Sequence, residues 1–119
     1  MNGLARFFTV LGDEARLAML WLLFNREEIC VCDFMAVLEI TQSKASRHLR
    51  ILYSAGLVTD RRDGLWKYYA LRPIKEASLA AQMQALRSTL ASRPNAAVLL
   101  RRLAEVIRKR EEGQPCCNR

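Results

Sequence analysis

A mainly α-helical fold carrying one small β-hairpin is what this sequence predicts, from three observations. Apolar residues recur at helical spacing along most of the chain, and capping residues cut that pattern into several short helices. Two β-prone runs flank Asp63-Gly64, a dipeptide suited to a tight hairpin turn. A length of 119 residues with 51% hydrophobic and 26% charged content allows one core and little more, which excludes a multidomain enzyme.

In the first helix Leu4, Phe7, Phe8 and Leu11 repeat at helical spacing, and Gly12 ends it. Asp13 is the N-cap expected for the second, where Leu17, Leu20, Trp21 and Phe24 make an apolar stripe. After a polar break at 25–28, residues 31–38 read as a short third helix with Phe34 and Leu38 on one side. Thr41 caps a fourth, which runs to about Ala55 and stops at Gly56. At about 100° per residue, its Ala45, Leu49 and Leu52 point to a core, while Ser43, Ser46, Arg47 and Arg50 point away. The β-prone runs 57–62 and 65–71 form the hairpin, with arginines near its tip. After Pro73, residues 74–91 read as a fifth helix. The next, at about 95–109, has Ala96, Leu99, Leu103, Val106 and Ile107 along one side. The order is α-α-α-α-β-β-α(-α), one domain over 1–110 with a flexible cysteine-bearing tail at 111–119.

A formal net charge of +7 favours a polyanionic partner. Residues 1–40 hold three Arg against six acids (net −3), 41–75 hold eight basic against two acidic (net +6), and 76–119 hold eight against four (net +4). The excess therefore falls on the fourth helix and the hairpin. Two successive short helices, the second basic on its outer face and followed by a basic hairpin, make a winged helix-turn-helix, with a DNA-reading unit at about 31–71. Such a helix puts its N-terminal residues at base edges in the major groove, while cations near the hairpin tip reach flanking phosphates. Gln42, Ser43, Ser46 and Arg47 are placed at base edges, because Gln and Arg contact adenine and guanine bidentately. Lys44, Arg50, Arg61, Arg62 and Lys67 suit phosphate.

The four cysteines form two tight pairs, Cys30-Val31-Cys32 and Cys116-Cys117. Neither spacing bridges within itself without strain. The longest apolar run, 17–24, is eight residues against the roughly 20 needed to span a bilayer. No basic-then-apolar leader is read, so a cytoplasmic protein with reduced thiols and no membrane association is expected. Clustered reduced thiols suit soft-metal ligation or redox chemistry. An enzyme is not expected, since neither a C-x-x-C motif nor a Cys/His pair at ligand spacing occurs. His48, the one histidine, is assigned a packing or hydrogen-bonding role.

The segments Glu28-Ile29-Cys30-Val31-Cys32-Asp33-Phe34, Gln42-Ser43-Lys44-Ala45-Ser46-Arg47-His48-Leu49, Ala55-Gly56-Leu57-Val58 and Gly64-Leu65-Trp66-Lys67-Tyr68-Tyr69 together resemble the ArsR/SmtB family of metal-responsive repressors. The likeness includes Leu11-Gly12-Asp13-Glu14-Ala15-Arg16-Leu17 and covers about residues 4–72. It implies a homodimeric winged-helix repressor on a pseudo-palindromic double-stranded operator, released when inducer binds. No permanent cofactor and no small organic substrate are expected. The Cys-Val-Cys pair resembles the arsenic-sensing branch, in which both thiols ligate As(III) or Sb(III). That branch often has a third cysteine three residues on, where this chain has Met35. A three-sulfur site at Cys30 and Cys32 would then draw on Cys116 or Cys117, from the same chain or its partner.

Residues two apart in a regular helix project about 200° apart. Cys30 and Cys32 are therefore expected to share an ion only if the start of the third helix is reshaped, which would misalign the reading helices of a dimer. The dimer is assigned to helices at about 2–11 and 74–109, with the apolar stripes of the first and last at the seam. The alternative input is Cd, Pb or Zn on all four cysteines, or thiol oxidation.

Overall fold

The computed structural model describes residues 1–113. In chain order the elements are α1 (Asn2–Leu11), α2 (Glu14–Phe24), β1 (Ile29–Cys30), α3 (Val31–Leu38), α4 (Gln42–Ser54), β2 (Val58–Asp63), β3 (Trp66–Leu71), α5 (Ala77–Ala91) and α6 (Ala96–Glu111). Local chemistry sets most boundaries. Asp13 caps α2, its Oδ1 accepting the amides of Ala15 at 2.9 Å and Arg16 at 3.2 Å. The Thr41 hydroxyl accepts the Lys44 amide at 3.2 Å at the start of α4. Gly56 and Gly64 carry φ of +79° and +63°, values that a residue with a Cβ adopts only with strain. The first ends α4 and the second turns the hairpin.

Helix α2 is buried along Met19, Leu20, Trp21, Leu22 and Leu23, a consecutive run that only a helix covered on several sides can bury. Phe34 and Val37 of α3, Ala45, Leu49 and Leu52 of α4, and Leu57, Val58 and Tyr69 of the hairpin region close the same core. Truncating a side chain as enclosed as Leu49 costs about 2–5 kcal/mol. The fourth helix divides as its period requires, with Gln42, Ser43, Lys44, Arg47 and Arg50 exposed and Ser46 half-buried. Between α3 and α4 the turn is made by Glu39, whose φ of 55° is left-handed, and the Ile40 amide donates to the Met35 carbonyl at 3.2 Å. No glycine marks this turn, so its position follows from the helices on either side.

The hairpin is part of a three-stranded antiparallel sheet ordered β1-β3-β2. Residues 29–30, which carry no strand signal of their own, pair with the wing in the register Ile29↔Tyr69 and Cys30↔Tyr68. Two residues are too few to show alternation, and only the edge that β3 offers makes them a strand.

Two expectations change at the C-terminal end. The fifth helix begins at Ala77 rather than at 74. The stripe on α6 expected at a dimer seam is spent inside the chain: Ala96, Leu99, Leu103 and Ile107 are buried on the common core. The Trp21 indole N–H donates to the Ala96 carbonyl at 2.9 Å and fixes the start of α6 on α2. Cys116 and Cys117 lie outside the described residues.

His48 takes the hydrogen-bonding position expected of it. Its Nδ1 lies 3.1 Å from Arg16 Nη1 and 3.9 Å from Asp13 Oδ1, tying α4 to the cap of α2. Burial lowers its pKa below the ordinary histidine value against the pull of Asp13, so Nδ1 accepts from Arg16 as neutral imidazole.

Candidate functional site

Cys30 ends β1 and is the N-cap of α3, with extended backbone at φ −72° and ψ 146°; Cys32 lies in the first turn of α3. Because the pair straddles a strand-to-helix junction, helical spacing does not govern it. The two sulfurs lie 3.3 Å apart, so no reshaping of α3 is needed to bring them together, contrary to the helical-wheel expectation. Both residues are buried. Burial pushes the Cys30 thiol above the usual cysteine range; the amides of Cys32 and Asp33 and the charge of Arg110 pull it down without offsetting burial, and Asp33 adds to the rise.

Two acids beside the thiols are paired with arginines. Asp33 in the first turn of α3 is fully buried and receives two hydrogen bonds from Arg110 of α6, Nε to Oδ1 at 3.1 Å and Nη2 to Oδ2 at 3.0 Å. Such a fork-on-carboxylate pair is geometrically strict, and it fastens the end of α6 to the residue that follows Cys32. Glu28, just before β1, accepts from Arg61 Nε at 2.9 Å, and the Arg61 guanidinium lies 4.6 Å from the Tyr68 ring centroid. That hydrogen bond holds the Glu28 carboxyl below its usual range.

The wing cations are therefore not equivalent. Arg61 is engaged with Glu28, and Lys67 Nζ is 3.2 Å from Asp60 Oδ2. Arg62, across the hairpin from Lys67, is exposed. On α4, Gln42, Ser43, Lys44, Arg47 and Arg50 present their side chains to solvent.

A cavity of about 230 Å³ lies between these groups. Cys30, Cys32 and Met35 line one side, Gln42 and Ser46 of α4 another, and Arg62, Trp66 and Lys67 of the wing the third. A larger cleft of about 740 Å³ between α2, α3, α5 and α6 is mostly apolar and contains no thiol. Among the described residues no group of three or more His, Cys, Asp and Glu side chains is disposed to hold a metal ion. Met35 adds a thioether sulfur to the cavity wall, and among the described residues the cysteines are Cys30 and Cys32. Sequence reading found the thiols and the exposed face of α4. It placed the acids Glu28 and Asp33 near the cysteines but missed their partners Arg61 and Arg110.

Fold and site together define a winged helix-turn-helix protein of the DNA-binding regulator class, with two cysteines at the start of its third helix. Residues 13–60 match the model of the bacterial regulatory protein arsR family, and the chain belongs to that family of transcriptional regulators, which are not enzymes. It is 44% identical over 68 residues to the arsenical resistance operon repressor of Escherichia coli, covering 57% of this chain and 58% of that protein. It is 36% identical over 73 residues to the cadmium resistance transcriptional regulatory protein CadC of Listeria innocua, covering 61% of each. In both, the match spans less than two thirds of the relative. The solved structure of the transcriptional regulator HlyU from Vibrio vulnificus superposes with a TM-score of 0.57 at 33% identity, covering 71% of this chain and 84% of that one. Among the described residues no helix is long and apolar enough to cross a membrane.

Proposed function

We propose that this protein is a cytoplasmic transcriptional repressor that holds operator DNA as a homodimer and lets go when As(III) or Sb(III) binds Cys30 and Cys32. The single observation that carries this reading is the 3.3 Å approach of the two sulfurs. Thiolate bonds to a metal ion of about 2.3 Å allow two sulfurs on one ion to lie anywhere up to about 4.6 Å apart. The third sulfur comes from Cys116 or Cys117. Arg110 supports that assignment, because its pair with Asp33 holds the end of α6 beside the thiols. Cys116 is five residues beyond Glu111 in the chain, a separation that can span at most about 18 Å. Gln42, Ser43, Ser46 and Arg47 read base edges, and Lys44, Arg50, Arg61, Arg62 and Lys67 hold phosphates.

Release follows from where the thiols are. Cys30 is paired with Tyr68 of the wing, and Cys32 opens the first helix of the DNA-reading pair. An ion that fixes both sulfurs ties the wing to the start of α3 and restricts how the two adjust to DNA, and a coupling of about 1–3 kcal/mol weakens operator binding about 5- to 150-fold. The second copy docks on α1, where Leu4 and Phe8 are exposed, and on the exposed side of α5.

In a fluorescence-anisotropy assay with labelled operator, arsenite is expected to release the wild type. The Cys30→Ser/Cys32→Ser variant should keep its DNA affinity and no longer respond; release of this variant by arsenite would refute the reading. A second input, cadmium, is favoured by the likeness to CadC. The two inputs separate by pH. Arsenous acid is neutral and turns thiol protons into water, so three As–S bonds form with no net proton release. Cadmium displaces protons, and its affinity rises with pH. Arsenite potency is expected to stay flat between pH 6 and 8, tested by repeating the titration with each inducer.

A further inference from the structure

We propose that the cleft between α2, α3, α5 and α6 binds one molecule of an apolar carboxylate, such as a medium-chain fatty acid, and that an occupant there weakens operator binding. The site is separate from the cysteines, none of which lines it. Its volume is about 740 Å³ and its walls are mostly apolar. Small-molecule sites of about 300–1,000 Å³ bury an apolar body in this way and orient it with a few polar groups. Leu17 and Ala18 of α2, Leu38 and Ile40 beside the α3–α4 turn, and Leu86 and Leu90 of α5 line the cleft and are only half-buried. Covering the rest of that surface with a hydrocarbon chain is favourable, because it removes apolar area from water.

The charged groups on the lining select the head of the ligand. Arg93, between α5 and α6, and Arg102 of α6 stand there against one acid, Glu14 of α2. Arg93 is exposed and engages no ion pair among the described residues. Arg102 is half exposed, and its Nη1 lies 3.9 Å from Glu39 Oε2, too far for a hydrogen bond. Two guanidinium groups beside an apolar cleft suit a planar carboxylate, which arginine binds through two parallel hydrogen bonds. The cleft also reaches the DNA-reading pair. Glu39, with φ of 55°, makes the turn between α3 and α4, and its neighbours Leu38 and Ile40 are on the cleft wall. A carboxylate on Arg102 draws it from Glu39 while the chain packs on Leu38 and Ile40. Both changes fall on the turn that sets α4 on α3, so the occupied form differs from the DNA-bound form in its affinity for the ligand.

The test is isothermal titration calorimetry of the full-length protein with decanoate below its micelle-forming concentration, and with decanol and butyrate as probes that lack the charge and the chain. Decanoate should bind once per chain, about tenfold or more tightly than either control. Arg93→Ala/Arg102→Ala should weaken decanoate about tenfold and leave decanol within about twofold, which also shows that the cleft of the variant is intact. On labelled operator, saturating decanoate should weaken wild-type binding about fivefold or more, as coupled sites do, and leave the arginine variant unchanged at the same concentration. The inference is overturned by any of four results: no saturable binding, equal affinity for decanoate and either control, wild-type decanoate affinity in the arginine variant, or operator affinity unchanged at saturation. Decanoate that binds only by splitting the dimer in sedimentation velocity would overturn it as well, since a second copy would then cover the cleft. Arsenite enters none of these measurements, so a failed arsenite response counts against the repressor reading and not against this site.

Discussion

Arg110 and Asp33 carry the sharpest single-residue consequence. Asp33 is fully buried at the start of α3, and its charge is tolerable there because Arg110 supplies two hydrogen bonds and a positive charge. Arg110→Ala leaves that carboxylate buried without its partner. The cost is about 3 kcal/mol, the low end of the range for breaking a buried pair, since a quarter of the Arg110 side chain remains in contact with water. Asp33→Leu with Arg110→Met, which removes both charges, should recover most of that loss in a urea titration. A loss in the double variant as large as in Arg110→Ala would mean that the charges are not what matters. Asp33 also shows what the sequence leaves hidden. An acid inside an apolar run marks a buried charge, but its partner lies 77 positions away on another helix and no local pattern names it.

At the scale of elements, the wing is a ribbon whose cations are already partly engaged in the free protein. Deleting a cation that neutralises one phosphate should lower the slope of log affinity against log salt by about 0.9. Arg62→Ala is expected to remove nearly one such unit. Arg61→Ala should remove less, because Arg61 already pairs with Glu28. Glu28→Gln should tighten operator binding by freeing Arg61, and equal slopes for the two arginine variants would show that the pair dissolves on DNA without consequence. The helices and the hairpin were legible because caps and periodicity are local: Asp13, Thr41, Gly56 and Gly64 each act within a few residues of where they stand. Strand β1 was not, because its two residues become a strand only by meeting β3.

The whole molecule decides which apolar faces remain for a second copy. The stripe on α6 is used within the chain against the core that includes α2 and α3, whereas Leu4 and Phe8 of α1 stay half or more exposed, at 54% and 53%. Phe8→Glu is therefore expected to weaken the dimer at least tenfold in sedimentation equilibrium and to weaken operator binding with it, while thermal stability at high protein concentration changes little. A dimer of unchanged strength would move the seam away from α1. Sequence by itself determined the order of the helices, the exposed basic face of α4 and the two thiols, since each depends on residue type and on spacing along one element. Tertiary structure alone decided that Cys30 and Cys32 meet across a strand-to-helix junction, that Arg110 answers Asp33, and that α6 packs inward. Periodicity tells which side of a helix avoids water, but only the packed chain settles what covers it.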